Sequence, residues 1–258
     1  MYEEIRKKYK LIYDHHTHTL YTHGKGSILD NVRVAHEKGI PEIAITEHGP
    51  GNYFCGFKLK DMDNMKRDIE EAKREYPDVN VLFGIELNLV RNYPYIDINP
   101  DFLKQFDIVL CGFHYSCKNG GTIANWLWKV THKELRYHII EDMYQADMSM
   151  LLVKNTSAMV SAILNNKIDI LTHVGDKGPF DICDVCEACE KAGTLLEINL
   201  KHKHLNREEL LIAKNYNVNF VISSDAHDPK DVGTFEPQLK LALDCGIDIN
   251  RIVNVVER

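Results

Sequence analysis

Seven short runs of apolar, largely β-branched residues, most followed by a polar turn and a helical pattern, constrain this chain more than any other feature. They are Leu11–Asp14, Ile43–Thr46, Val81–Glu86, Ile108–Cys111, Ile168–Thr172, Leu195–Asn199 and Phe220–Ser224. The runs are continuously apolar and do not alternate, as expected of strands buried on both faces. Helices are predicted between most of them. One runs from an N-cap at Ser27 through His36 and is stopped by Gly39 and Pro41. Another covers Leu59–Tyr76 and ends at Pro77, and further helices cover Asp181–Lys191, Arg207–Asn215 and Pro237–Asp244. Alternating strand and helix dictates parallel strands with right-handed crossovers. A chain of 258 residues suits one closed α/β barrel, which typically takes ~250.

One interval breaks this rhythm. More than fifty residues separate His114 from Ile168 without a strand pattern, and they contain both tryptophans, Trp126 and Trp128. The Met-rich stretch Glu141–Asn165 reads as a helix packed on the barrel. For Ser116–Val130, around Gly120–Gly121, packing and a lid over a site are equal readings. The whole of 1–258 is thus expected to be one domain, with a helical insertion around 115–165.

Composition removes several classes of function. No apolar run reaches the ~18 residues of a membrane helix, and charged Met1–Lys10 lacks the apolar stretch of an export signal. Seven cysteines, an odd number, then read as reduced thiols in a cytoplasmic protein. Cys183, Cys186 and Cys189 recur at helical spacing and are expected to pack on a buried helix face. The net charge of −7 without a basic patch argues against long nucleic acid as a partner. Self-association is left open.

The informative residues are the 13 histidines. The first run leads into Asp14-His15-His16-Thr17-His18, with His23 shortly after. Others lead into Glu47-His48-Gly49, Glu86, Phe113-His114, Thr172-His173 and Asp225-Ala226-His227. In a barrel of parallel strands the C-terminal strand ends converge on one face, where active sites sit. Residues i and i+2 of an extended segment share a side, so His16 and His18 can grip one ion, as can Asp225 and His227. Imidazole with carboxylate suits zinc, iron or manganese better than calcium or magnesium. Seven histidines and two acids exceed the needs of a single ion and fit two or three, with a bridging carboxylate.

In this order the segments D-H-H-T-H, T-E-H-G, G-I-E, G-F-H, T-H-V-G and S-D-A-H resemble the motifs of the polymerase-and-histidinol-phosphatase (PHP) superfamily, most closely its stand-alone phosphatases of the YcdX type. The resemblance covers nearly the whole chain. It implies a distorted (βα)7 TIM-like barrel, the PHP fold, and phosphoester hydrolysis at a trinuclear metal centre. His16, His18, Glu86 and Asp225 would hold a first ion. Glu86 would bridge to a second ion held by His114 and His173, and His23, His48 and His227 would hold the third. The long stretch after His114 departs from compact relatives and leaves the substrate open.

Three divalent ions against two carboxylates leave a local charge of about +4, which would draw in a small phosphomonoester. A metal-bound hydroxide would then attack phosphorus, with Glu86, Asp225 and His227 the residues expected to carry catalysis. Lys25, Lys177, and Lys201 or His202 after the sixth run are candidate phosphate or leaving-group contacts by their strand-end positions. Glu47 and Asp14 are expected to support the ligands from behind, and His15 to be structural. Histidinol phosphate is one candidate substrate. Other readings are a nucleotide or nucleic-acid phosphoesterase, a metal amidohydrolase, and a non-catalytic metal-binding module. The amidohydrolase reading is disfavoured because no strand ends in the lysine that often bridges its metals.

Overall fold

A computed structural model describes residues 2–115, 117 and 141–258. The expected lid segment Ser116–Val130 lies outside them, Cys117 apart. Elements in chain order are α1 (Tyr2–Lys8), β1 (Tyr9–Leu11), α2 (Ile28–Lys38), β2 (Glu42–His48), α3 (Met62–Glu75), β3 (Asn80–Asn88) and β4 (Ile108–Gly112). They continue with α4 (Glu141–Asn165), β5 (Ile170–Leu171), α5 (Ile182–Ala192), β6 (Leu195–Asn199), α6 (Arg207–Ala213), β7 (Phe220–Ser223), α7 (Glu236–Asp244) and β8 (Val255–Glu257).

Strands β2 to β7 form one six-stranded parallel sheet in sequence order. Consecutive parallel neighbours, joined by α-helices except for β3 and β4, whose connection carries only a 3-10 turn at Pro100–Gln105, make a curled α/β half-barrel. Ile43, Ile45, Ile85, Leu110, Ile170 and Ile222 are all fully buried or nearly so. That agrees with the continuous apolar runs, because both sides of the sheet are covered.

The first expected strand differs from the other six. Only Tyr9–Leu11 is a regular strand, and it pairs antiparallel with β8, away from the parallel sheet. Residues 14–18 run instead between β2 and the exit of β7, making single parallel bridges at Asp14–Ile43 and Thr17–Ala226. Backbone bonds tie this segment to both neighbours, Ala44 N to Asp14 O (3.0 Å) and Thr46 N to Thr17 O (2.9 Å) on one side and His18 N to Ala226 O (2.8 Å) on the other, and side chains add to them: Thr17 Oγ1 donates to Ala44 O (2.8 Å) and Thr17 N donates to Thr46 Oγ1 (3.1 Å). Among the described residues the regular parallel sheet thus has six strands, with residues 14–18 bridging its two edges. The segment is spent on presenting His16 and His18 inward.

Local chemistry explains the helix limits. Ser27 caps α2 in a reciprocal capping box with Asp30, and Gly39 closes it in the left-handed conformation. Asp181 caps α5, whose Cys186 and Cys189 are buried, while Cys183 is half-buried. In α4, Met159 is buried as expected of a core methionine, but Met150 is exposed.

Candidate metal centre

Register places the strand ends at one level. His48 at the end of β2 is paired with Glu86 in β3, so the two side chains arrive side by side. Glu86 is completely buried. Its carboxylate has His48 Nδ1 at 2.8 Å, His173 Nε2 at 2.9 Å, His114 Nε2 at 3.3 Å and His16 Nε2 at 3.4 Å. Thr172 Oγ1 donates to it at 2.8 Å. Glycine at 112, next to these groups in β4, is required by space. A Cβ there would meet Thr172 Oγ1 at 2.3 Å, His173 Cε1 at 2.8 Å and Glu86 Oε1 at 3.0 Å.

Asp225 forms the second acidic centre. His18 Nε2 lies 3.4 Å from its Oδ1, His16 Nε2 3.6 Å and His227 Nδ1 3.3 Å. Both Asp225 (φ 51°) and His173 (φ 30°) have left-handed backbone that non-glycine residues rarely adopt. In each case it turns a side chain at a strand exit into the cluster. His23, the most exposed of the group, closes the outer side, with its ring 4.1 Å from that of His227 and 4.8 Å from that of His48.

All nine residues singled out by their strand-end positions therefore meet. Ligand-type atoms form several sets of three within 4.8 Å of one another: His16–His18–Glu86, His48–Glu86–His114, His16–His173–Asp225 and His18–His48–His227. Buried atoms of this cluster lack a hydrogen-bond partner in the protein: His18 Nδ1, His48 Nδ1, Glu86 Oε2, His114 Nδ1 and Asp225 Oδ1. His48 Nδ1 and Glu86 Oε2 are close but not aligned as a hydrogen bond. Orphaned buried polar atoms are costly. Their concentration among nitrogen and carboxylate donors fits divalent transition-metal ions.

The electrostatics follow from burying carboxylates and imidazoles together. Burial opposes ionisation of Glu86, yet His114, His16 and His48 pull its carboxyl well below the usual carboxylate range. Asp225 is likewise held low, against burial, by His16, His18 and His227. Burial pushes His48, His114, His173 and His227 down, which keeps them neutral and able to donate a lone pair.

Supporting groups surround the donors. Glu197 Oε1 lies 2.6 Å from His16 Nδ1, and its Oε2 accepts from His173 N (2.9 Å) and Asn199 Nδ2 (2.8 Å). Asn199 Nδ2 also reaches Asp225 Oδ2 at 3.2 Å. His202 links Asp176 Oδ2 (2.9 Å, through Nδ1) to Asp225 Oδ2 (3.3 Å from Nε2). Sequence reasoning passed over Glu197, Asn199 and Asp176, and offered His202 only as an alternative to Lys201. The available signal was Glu197-x-Asn199, a same-side polar pair inside an otherwise apolar strand. Glu47 supports His18, at 3.8 Å from its Nδ1, and binds Thr19 and Thr22. Asp14 accepts from Ser224 Oγ (2.6 Å) and Gly233 N (2.7 Å), and His15 pairs with Glu42 (2.7 Å) away from the cluster.

A cavity of about 200 Å³ opens onto the cluster, lined by six of its histidines and acids together with Cys55, Tyr115, Lys177, Lys201 and His202. Lys177 Nζ is 3.3 Å from Asp176 and 3.5 Å from His202 Nε2. Burial lowers the pKa of Lys201. Lys25 lies farther out, largely exposed and paired with Asp228 at 3.4 Å.

The PHP domain family matches residues 14–243, nearly the whole chain. The chain belongs to the PHP domain family. Two of its curated relatives carry the name probable phosphatase. One, from Caldanaerobacter subterraneus, is 30% identical over 259 residues, covering 96% of this chain and 89% of its own length. The other, from Thermoanaerobacter sp., is 29% identical over 262 residues, covering 95% and 91%. Among solved structures, a histidinol phosphate phosphatase from Lactococcus lactis, complexed with zinc, L-histidinol and phosphate, aligns with a TM-score of 0.62 at 17% identity. It covers 94% of this chain and 95% of that one. That likeness is one of fold, and it agrees with the curled parallel sheet of this PHP protein. Among the described residues no helix is long and apolar enough to cross a membrane.

Proposed function

We propose that this protein is a metal-dependent phosphatase that hydrolyses a small phosphomonoester. His16, His18, Glu86 and Asp225 hold one divalent ion, Glu86 with His114 and His173 a second, and His23, His48 and His227 a third, with zinc, manganese or iron as the metal. The observation that carries this reading is the set of orphaned buried donors gathered around Glu86 and Asp225. When bound, ions of this kind polarise phosphate oxygens and make an ionised water available near neutral pH.

The chain's own residues do the rest. Glu86 and Asp225 stay ionised in a buried site and fix the spacing of the donors. Glu197 orients His16 from behind and pins the backbone of His173. Lys177 and Lys201 add positive charge at the cavity wall, where a phosphate would enter. A cavity of about 200 Å³ admits a phosphoryl group and a small leaving group. Histidinol phosphate belongs to this substrate class.

The test joins metal analysis of the purified protein to phosphate release from p-nitrophenyl phosphate, histidinol phosphate and a panel of mononucleotides. Metal-dependent release is expected, with Glu86→Ala and Asp225→Ala inactive and metal-poor but folded. Full activity in either variant, or equal activity after exhaustive chelation, overturns the proposal.

A further inference from the structure

Cys55 belongs to no strand-end motif, yet the fold delivers it to the candidate centre. The loop after β2 leaves at His48 and folds back on it: Phe57 N donates to His48 O at 2.9 Å, Gly56 N to Asn52 O at 3.0 Å and Cys55 N to Asn52 Oδ1 at 3.2 Å. Its first residues are held by Asp97, which accepts from Gly51 N at 2.8 Å. Asp97 packs so closely on Gly49 that a Cβ there would lie 2.4 Å from its carboxylate. The turn is thus fixed at both ends, and Cys55 sits at its return.

The sulfur of Cys55, a ring nitrogen of His23 and one of His48 all lie within 4.8 Å of one another. His48 is almost fully buried, and its Nδ1 lies 2.8 Å from Glu86 Oε2. Cys55 is half-buried and lines the same cavity as His23, His48 and His227. Donors about 2.1 and 2.3 Å from a shared tetrahedral ion stand roughly 3.5 Å apart. The observed grouping therefore needs only a small side-chain adjustment.

We propose that Cys55 is a thiolate ligand of the ion held by His23, His48 and His227. The inference rests on the metal reading above and deepens it: one of the three positions becomes a mixed nitrogen–sulfur site, where the ordered motifs supply only imidazoles. Thiolate favours zinc and cobalt over manganese. This position then discriminates among metals that the oxygen-rich positions around Glu86 and Asp225 accept alike.

Cobalt(II) tests it on the full-length protein. Metal-free wild type, Cys55→Ser and Cys55→Ala are titrated with cobalt alone, and spectra are recorded at each equivalent. Wild type is expected to gain a near-ultraviolet sulfur-to-cobalt charge-transfer band, lost in both variants while the visible ligand-field bands of the remaining ions persist. The weakest zinc equivalent should loosen in the variants by about 100-fold, the upper end of what losing a supporting group costs. Manganese binding should change little. Should either variant fold poorly, wild type still decides. Iodoacetamide is expected to label Cys55 in the metal-free protein and not in the loaded one, as read by peptide mapping. Cobalt binding without the charge-transfer band, a band that survives in Cys55→Ser and so comes from another cysteine such as Cys117, or equal labelling of Cys55 with and without metal overturns the ligand. Failure to bind cobalt at all instead overturns the metal reading itself.

Discussion

Glu86 shows why one residue can decide this site. Four imidazoles lie within 3.4 Å of its carboxylate, with a threonine hydroxyl donating to it, and the residue is fully buried. Glu86→Gln keeps the volume and removes the charge. It is expected to lower kcat/KM roughly 10³-fold, the equivalent of several kcal/mol of transition-state stabilisation, and to reduce bound metal by at least one ion in elemental analysis. A second substitution separates orientation from coordination. Glu197→Gln keeps the shape but weakens the hold on His16 Nδ1 and on the backbone of His173. Metal affinity should fall about 10–100-fold, measured by competition with a chromophoric chelator, while circular dichroism is unchanged. The strand-end positions were legible in the sequence because H-x-H, D-x-H and a glutamate after an apolar run need only local spacing. Their supports were not. Glu197 and Asn199 lie within a strand whose end bears no ligand of its own, and Asp176 reaches the site through His202, from which it is separated in sequence by a crossover.

At the scale of elements, β4 is the most demanding strand, because its last residue passes under the cluster with no space for a side chain. Gly112→Ala is expected to push Thr172 and His173 away from Glu86, costing about 1–3 kcal/mol through overpacking. A thermal melt of the metal-free protein reads that cost. Metal titration should show weaker binding from the same displacement, whereas Gly39→Ala, at an open helix C-cap with φ 67°, should affect stability alone. Helix limits were legible wherever a cap is encoded locally, as with Ser27 and Gly39 around α2. The first strand was not, since its regular pairing partner is β8 at the far end of the chain, and a long-range antiparallel pair leaves no local pattern. The same holds for β5, reduced to Ile170–Leu171 although the apolar run is longer. A run shows burial, while ladder length depends on the neighbours.

Across the whole molecule, the donors come from positions 16 to 227, and sequence-distant clamps hold the ends of that span together. Asp14 binds Ser224 and Gly233, joining the first ligand segment to the last. Without cations, the cluster holds the buried carboxylates of Glu86 and Asp225 amid a crowd of histidines whose lone pairs and charges are only partly matched. Ions bind the assembled site and not the unfolded chain, so each adds stability by mass action, about 2.7 kcal/mol when present at 100 times its dissociation constant. For a domain of this size, 1 kcal/mol moves Tm by about 2–4 °C, giving about 5–10 °C per tightly held ion. Chelation of the purified protein is therefore expected to lower Tm by at least that amount, and re-addition of zinc or manganese to restore it in a concentration-dependent manner. Glu86→Gln should respond to added metal by a smaller shift, because the residue that couples two of the positions is gone. Identical melting curves for chelated and metal-loaded wild type would mean that the buried donors satisfy one another without cations, and the centre would then have to be read as a hydrogen-bonded core.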